Sequence, residues 1–369
     1  MENDDMPDFV NTPVDRLIRK AVKSRPEFEL RKILSLHKSD SLKQLARTYK
    51  MKRYASSKKS EMIDYLCTEI ANPAALESIL LHSNDEEYAF FGSVAASGKI
   101  EMSVSEAASK PWFSFRHLYF LDIYHVSGKI TFVVPEVIRD VYMDLKNKSF
   151  PSTRKRFSVI NSLAEDFTSL YGVVDFNRFT EICNDELQTD MGYTELANIL
   201  IEFSWVRQPC YCVFGDLLIH SIIGEHTVET EVIDDMVEES NDEIDRIESV
   251  RGSIPMKPLP LEEIIKYSNM SYFEHTPAHE RLALFLKKHD SELAQFPALL
   301  QYVLSKLNET FRQNDDATDE LPGIDMRRYA SDKETMKMYN DLIHDVNRHT
   351  RKWSRNGWML VEIEPMHLQ

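Results

Sequence analysis

The sequence predicts a mainly α-helical, multi-domain protein with small β-hairpins. Its 369 residues are enough for two or three domains of ordinary size. The chain has ten glycines, which is few, because large β folds and glycine-rich phosphate-binding folds need many of them in turns with positive φ. Apolar residues recur at helical spacing, and a hydrophobic content of 43% is enough to build cores. Helices should therefore dominate.

Changes in composition and periodicity divide the chain into six predicted segments. They are a flexible tail over 1–13, a basic helical head over 14–72, a first module over 73–150, a second module over 151–224, an acidic and proline-rich linker over 225–260, and a C-terminal helical domain over 261–369. The linker is placed by its charge and by a cluster of prolines at its end.

Charge is unevenly distributed along the chain. The formal net charge of −16 argues against non-specific binding to DNA or to an anionic membrane. Between Asp15 and Lys59, however, 15 Lys and Arg accompany 4 Asp and Glu, a local balance of +11. Between Glu225 and Glu248, 11 acids accompany a single Arg246. A basic head on an acidic chain predicts a polyanionic partner for the head.

The head contains two short helices joined by a tight connection. Met51 is a single apolar anchor between the helices, and Lys58 and Lys59 begin the second one. The inner sides of the two helices are marked by Leu42, Leu45, Ala46, Tyr49, Met62, Ile63, Leu66 and Cys67. This pattern, over roughly 40 residues, resembles the Rho termination factor N-terminal domain and the related SAP domain. The resemblance implies a module that binds nucleic acid or tethers a larger protein to DNA.

Seven cations of the head are the candidate nucleic-acid contacts. Lys and Arg neutralise phosphates, and a helix N-terminus adds backbone donors that also favour anions. We call these residues the head cations: Lys43, Arg47, Lys50, Lys52, Arg53, Lys58 and Lys59. The alternatives are a solvated helix face, or a patch that docks on an acidic partner or on the chain's own acidic segment.

Two segments after the head predict winged-helix-like modules. In the first, "IYHV" and "ITFVV" flank a Ser-Gly turn, which is a hairpin signal, and Pro135 should begin a helix. Ser83 and Glu86 match a helix capping box. In the second, a strand and two helices precede strands around Gly215. This order resembles that of uncharacterised bacterial proteins that combine a Rho-type head with winged-helix repeats.

Neither module predicts strong reading of a DNA groove. A winged helix reads the major groove with its second helix, which then needs Arg, Lys, Asn or Gln at its surface. The predicted second helices are "FSFRHLYFLD", which offers Arg116 and His117, and "GYTELANILIEF", which offers almost nothing basic. The modules are therefore expected to pack against each other or against a protein.

Few features predict catalysis, a cofactor or a metal. The chain lacks the GxSxG, P-loop and GxGxxG motifs. Its 4 cysteines form no pair of CxxC motifs, so a thiolate zinc site is not expected. His275 and His279 are four apart, but Pro277 should begin a helix between them. We therefore expect no enzyme, although a nuclease-like effector whose site assembles from distant residues stays an alternative.

The C-terminal domain predicts helices at 278–289, capped by Thr276 and Pro277, at 296–311 and at 334–353. Its segment "DVNRHTRKWSRNGWML" resembles the C-terminal part of some bacterial proteins that end in a zinc-binding SEC-C tail. No Cys and His tail follows in this chain, so no metal is expected there.

Taken together, these features predict a cytoplasmic, non-enzymatic nucleic-acid-associated protein. Few unpaired thiols fit a reducing cytoplasm, and the acidic N-terminus does not resemble a signal peptide. The longest apolar run is far shorter than the roughly 20 residues of a membrane helix, so no membrane partner is expected. The other domains would engage a protein partner or a second copy. The alternative is a protein-interaction, scaffold or regulatory factor, for example one that acts in phage defence, without nucleic-acid contact. Residues 225–248 would be a linker, an autoinhibitor or a partner-binding segment.

Overall fold

The computed structural model describes residues 12–207, 209–224, 233–269, 272–314 and 333–363. Helices dominate these residues, and strands form two three-stranded antiparallel sheets. The predicted mainly α fold with small β-hairpins is therefore confirmed. Contacts divide the chain into unit 1, Met1–Ser158, and unit 2, Val159–Gln369. Most of the predicted tail, residues 225–232 of the predicted acidic segment and the loop over 315–332 lie outside the described residues.

Unit 1 holds the head and the first module. Its elements are α1 (Pro13–Lys20), α2 (Leu30–Leu36), α3 (Ser39–Thr48), α4 (Lys59–Ile70), α5 (Pro73–Leu81), α6 (Asp85–Ser97), β1 (Lys99–Ser103), α7 (Val104–Ala108), α8 (Phe113–His117), β2 (Asp122–Val126), β3 (Lys129–Val133), α9 (Glu136–Lys146) and the start of α10 (Phe150–Tyr171). In the sheet, β3 lies between β1 and β2. Ser127 and Gly128, with φ of 52° and 77°, form the predicted turn between β2 and β3.

The head extends the sheet of the first module. The Val22 amide donates to the Ile123 carbonyl at 2.8 Å, and the His125 amide donates to the Val22 carbonyl at 3.0 Å. Val22 thereby forms a parallel bridge with the outer edge of β2. Since these bonds join residues about one hundred positions apart, the head and the first module are parts of one folded unit.

Two local predictions for unit 1 were wrong in detail, and one strand was not predicted. The capping box of α6 is formed by Asn84 and Glu87, because the Asn84 side chain accepts from the Glu87 amide and the Glu87 carboxylate accepts from the Asn84 amide. Helix α8 ends at His117, since Tyr119 has a left-handed φ of 61° that no α-helix continues through. Strand β1, which was not predicted, pairs with β3 through Ile100 and Met102.

Unit 2 holds the second module and the C-terminal helices. Its elements after α10 are β4 (Val173–Asp175), α11 (Phe176–Leu187), α12 (Tyr193–Arg207), β5 (Tyr211–Phe214), β6 (Leu217–His220), α13 (Ser221–Gly224), α14 (Ile233–Arg251), α15 (Leu261–Ile264), α16 (Pro277–His289), α17 (Ser291–Gln295), α18 (Pro297–Gln313), α19 (Lys333–Arg348) and α20 (Leu360–Ile363). Its sheet order is β4-β6-β5. The order from α6 to β3, which is helix, strand, two helices and hairpin, thus recurs from α10 to β6 with the same strand pairing.

The segment predicted as a linker over 225–260 contains helix α14. Ile244 and Ile247, three residues apart on one face of α14, are buried against Trp353. The prolines that follow lie along the C-terminal residues, since the Trp358 indole donates to the Pro255 carbonyl at 2.9 Å. This part of the chain is therefore integrated in the core of unit 2.

The basic C-terminal segment after α19 is structural. Helix α19 ends at Arg348, earlier than predicted, and Lys352 is fully buried with its ammonium donating to the Phe311 carbonyl at the end of α18. The Arg351 guanidinium donates to the Gly357 carbonyl at 3.0 Å and pairs with Glu274. Cations near helix C-termini satisfy carbonyls that lack intrahelical partners. These residues hold unit 2 together instead of offering a surface to a ligand.

The unfolding free energy of unit 2 should depend on the protonation of His220. His220 is 9% exposed against the Trp353 ring, and burial, followed by the Arg312 charge, lowers its pKa to about 4. The unfolded chain binds a proton near its ordinary pKa of about 6.5, so stability is lost as the pH falls below that value. Between pH 7.5 and 5, this histidine should cost about 2 kcal/mol of unfolding free energy.

Urea unfolding of His220→Phe at these two pH values checks this effect. The variant should lose less stability on acidification than the parent, by about 2 kcal/mol. His344→Gln is the matched control, because His344 is exposed on α19. An equal pH dependence in His220→Phe and the parent would show that another group titrates.

Candidate nucleic-acid interface

The seven head cations lie on α3, on the connection after it and at the start of α4. Lys43 and Arg47 are four residues apart and share one face of α3. Lys58 precedes the first residue of α4, which is Lys59. Six of the seven side chains are exposed, and Lys43 is half-buried.

The connection between α3 and α4 is held in a tight path. Lys50 and Arg53 have left-handed φ values of 56° and 58°, a conformation that glycine adopts more readily. The Tyr65 hydroxyl donates to the Tyr49 carbonyl at 2.8 Å, and the Met51 amide donates to the Ala46 carbonyl at 2.8 Å. The predicted anchor, Met51, is only half-buried. The path nevertheless presents the cations of this connection outward.

Carboxylates of the chain leave most head cations unneutralised. Lys43 lies 3.9 Å from Asp40, and the Lys59 ammonium donates to the Ser35 carbonyl at 2.8 Å. In the part of the chain that the structure describes, no carboxylate forms an ion pair with the other five. The head cations therefore remain available to an external anion.

A second cationic feature of unit 1 is a cleft of about 480 Å³, which we call the head cleft. Its walls come from α1 and the residues that follow it, from α2 and α3, and from the segment around α8. The lining residues are Arg19, Lys20, Ala21, Val22, Lys23, Leu36, His37, Lys38, Ser41, Gln44, Leu45, Thr48, Trp112, Phe113, Arg116, His117 and Tyr119. None of the seven head cations is among them.

Positive charge dominates the head cleft. Its walls carry four exposed cations, which we call the cleft cations: Arg19, Lys20, Lys23 and Lys38. No Asp or Glu is among the described residues that line the cleft, and the cleft cations form no ion pair with a described carboxylate. Burial, followed by the charges of Arg116 and Arg19, lowers the pKa of Lys20. Burial, followed by Lys20 and Arg116, likewise lowers the pKa of His117. The cleft is thus a place where an anion would be stabilised.

A buried ion pair stands behind the cleft. Arg116 is 7% exposed, and its Nε lies 3.0 Å from Asp122 Oδ1, a carboxylate with no exposure. His37 Nε2, from the end of α2, lies 3.3 Å from the other oxygen of Asp122. The Arg116 guanidinium also covers the Tyr119 ring at 4.2 Å. The pair therefore fixes α8, β2 and the head relative to each other inside unit 1.

An exposed aromatic ring adjoins the cleft cations. The Phe113 side chain is 54% exposed, and its ring stacks on His117 with a centroid distance of 6.1 Å and an interplanar angle of 14°. Trp112, which is 5% exposed, lies behind it at 5.9 Å. Phe113 is thus a supported ring that lines the head cleft with much of its surface exposed.

Sequence reasoning missed the head cleft as a site. Arg19, Lys20 and Lys23 contributed to the counted positive charge of the head, but their positions at the end of α1 and just after it carried no motif. Arg116 and His117 were noted only as candidates for groove reading. The only weak signal in the sequence for this site was the aromatic pair Trp112 and Phe113, followed closely by Arg116 and His117 in the short helix α8.

The second helices of the two modules, which the sequence did not favour as readers of a DNA groove, are poorly suited to that role. In α8, Phe115 is fully buried and Arg116 is engaged by Asp122. Over residues 193–204 of α12, whose side chains the structure describes, the exposed positions include Thr194, Glu195, Asn198 and Glu202. None of these four residues is basic. Direct contact of either helix with a major groove therefore has little chemical support.

Histidine and membrane features give no further site within the described residues. His279 is buried, with Nε2 3.0 Å from Asn308 Oδ1 and Nδ1 2.8 Å from the Thr276 hydroxyl at the start of α16. No cluster of three or more His, Cys, Asp or Glu in the described ranges could hold a metal ion. None of the described helices combines the length and apolarity needed to span a bilayer.

Comparisons of the chain with protein-family models, with curated proteins and with solved structures found no match. The function is therefore inferred from the residues of the head and of the head cleft.

Proposed function

We propose that this chain is a non-enzymatic nucleic-acid-associated protein that holds a strand in the head cleft of unit 1. The observation that carries the proposal is a cleft in a chain of net charge −16 whose four exposed cations have no ion-pair partner, and whose lining has no carboxylate, among the residues that the structure describes. Clustered cations without counter-charges repel each other, which raises the electrostatic energy of the cleft. A bound polyanion would lower that energy. Phosphates are the polyanion for which exposed Lys and Arg are best suited.

The head cations form a second proposed contact surface. Arg47, Lys50, Lys52, Arg53 and Lys58 are exposed without a carboxylate partner in the described chain, and each would add contacts to phosphates beyond the cleft. The proposed Rho N-terminal and SAP-like character of the head agrees with this role. We also propose that the recurring helix, strand, helix, helix and hairpin modules are winged-helix-like and serve as interaction modules, because fold alone does not define what they bind.

A scaffold without nucleic-acid contact is the second candidate function. It is favoured by exposed apolar side chains on the C-terminal helices of unit 2, where Leu284 is 67%, Phe296 57% and Tyr302 58% exposed. Large exposed apolar residues are common at protein-binding surfaces. This scaffold function would be favoured if the parent protein binds no nucleic acid in the salt titration described next.

The proposed function predicts a strong salt dependence of binding. Fluorescence anisotropy of labelled single-stranded and double-stranded DNA and RNA, with the full chain at about 50 to 200 mM salt, measures it. Lys20→Gln combined with Lys23→Gln should lower the slope of log K against log salt on single strands by about 1.4, since each phosphate contact contributes about 0.7.

The controls separate the cleft from general charge. Lys287→Gln combined with Lys288→Gln changes charge equally on the exposed end of α16 in unit 2 and should leave the slope unchanged. Lys52→Gln combined with Arg53→Gln tests the head cations in the same way. A parent protein that binds none of the four nucleic acids at the lowest salt would contradict the proposed function.

A further inference from the structure

We infer that the head cleft receives one unpaired nucleotide of a single strand, with its base stacked on Phe113 and its phosphate among the cleft cations. This inference rests on the proposed function and narrows it to single-stranded nucleic acid. It depends on three independent features of the cleft: its size, its aromatic ring and its polar wall.

The cleft is too small to enclose a duplex, and its size suits a nucleotide. A volume of about 480 Å³ lies within the roughly 300 to 1,000 Å³ of pockets that bury small molecules. A paired base cannot enter such a space without leaving its helix, whereas an unpaired base can be splayed out. Helix α8 is only five residues long, and its arginine, Arg116, is buried and engaged by Asp122, so it is poorly suited to reading a groove.

Phe113 has the geometry of a stacking platform. His117 supports one face of its ring at 6.1 Å in a nearly parallel arrangement, and the side chain is 54% exposed. Bases stack on aromatic side chains with little regard for sequence, since every base has a π face. A supported ring loses little conformational freedom when a base stacks on it.

Other lining residues of the cleft offer charge and hydrogen bonds. Arg19, Lys20 and Lys23 come from α1 and the residues after it, and Lys38 comes from the start of α3. Ser41, Gln44 and Thr48 line the cleft from one face of α3, at spacings of three and four residues. Their side chains are exposed, and an amide such as that of Gln44 both donates and accepts, as the edges of bases require. The cleft therefore combines a ring, cations and polar groups as single-strand binding proteins do.

The test compares Phe113→Ala with the parent in the full chain. The probes are a short single-stranded oligonucleotide that carries one fluorescent adenine analogue, and a blunt duplex of the same sequence. Phe113→Ala should weaken single-strand binding about 10- to 100-fold, which is the worth of one stacked base. It should leave the salt slope unchanged, because no charge is removed. The analogue's emission, quenched by stacking in the parent complex, should be restored, and Phe113→Tyr should retain both affinity and quenching.

Phe296→Ala is the matched control, since Phe296 is 57% exposed in unit 2 and should not affect binding. Thermal unfolding of Phe113→Ala should match that of the parent, which separates lost stacking from lost fold. If Phe113→Ala leaves the affinity for single strands unchanged, the inference is overturned. The proposed function would still be supported if the Lys20→Gln and Lys23→Gln double variant lowers the salt slope. Competition by a free mononucleotide as strong as that of the oligonucleotide would also overturn the inference. A parent protein without any nucleic-acid binding would instead defeat the proposed function itself.

Discussion

Asp122→Ala is expected to lower the unfolding free energy of unit 1 by about 3–5 kcal/mol, because it leaves the buried Arg116 guanidinium without its counter-charge. Asp122 has no exposure, and its carboxylate lies 3.0 Å from Arg116 and 3.3 Å from His37. Hydrogen exchange of the β2 and β3 amides in the full chain measures the local effect, since these strands lie beside the pair.

The double variant Asp122→Leu with Arg116→Met distinguishes charge from packing. Replacing both partners of a buried ion pair by apolar residues of similar volume is often nearly neutral. The double variant should therefore recover most of the stability that Asp122→Ala loses. A double variant as unstable as the single one would show that the pair's packing, and not its charge, holds the fold.

Gly172→Ala is expected to destabilise unit 2 by about 3–5 kcal/mol, which combines left-handed backbone strain with overpacking. Gly172 has a φ of 74°, and an added Cβ would lie 2.5 Å from ring atoms of Trp353. The loss should appear as a lower midpoint of thermal unfolding of the full chain.

Two further variants locate the cause of this loss. Gly192→Ala is the matched control, because an added Cβ at Gly192 meets no atom within 4 Å, and its unfolding midpoint should stay near that of the parent. Trp353→Leu combined with Gly172→Ala should lose less than the sum of the two single variants, since the shorter side chain makes room. Strict additivity would place the cost in the backbone alone.

The hairpins and most helices could be predicted because their signals are local. Ser127 and Gly128 are small residues between two β-branched and aromatic runs, and they adopt the positive φ values that the turn needs. Thr276 and Pro277 begin α16 where the sequence predicts, since proline suits the first turn of a helix. In contrast, β1 contains only two apolar residues and has no fully buried position, so its alternation is too weak to see.

The head cleft could not be predicted because its walls meet only in the folded unit. Lys20, Lys38 and Phe113 belong to three distant stretches of sequence, and the hydrogen bonds of Val22 with β2 bring the first and last together. The density of charge in the head was visible in the sequence, so the head cations could be named. Arg116 looked like a surface contact because its partner, Asp122, is recognisable as buried only in three dimensions.

The bridge between Val22 and β2 also affects how the molecule self-associates in concentrated solution. An outer strand with unsatisfied amides and carbonyls is a template on which another chain can polymerise. By occupying part of that margin with its own leading segment, the protein shields the sheet from intermolecular strand addition. Val22, which also lines the head cleft, thereby helps to protect the sheet against aggregation.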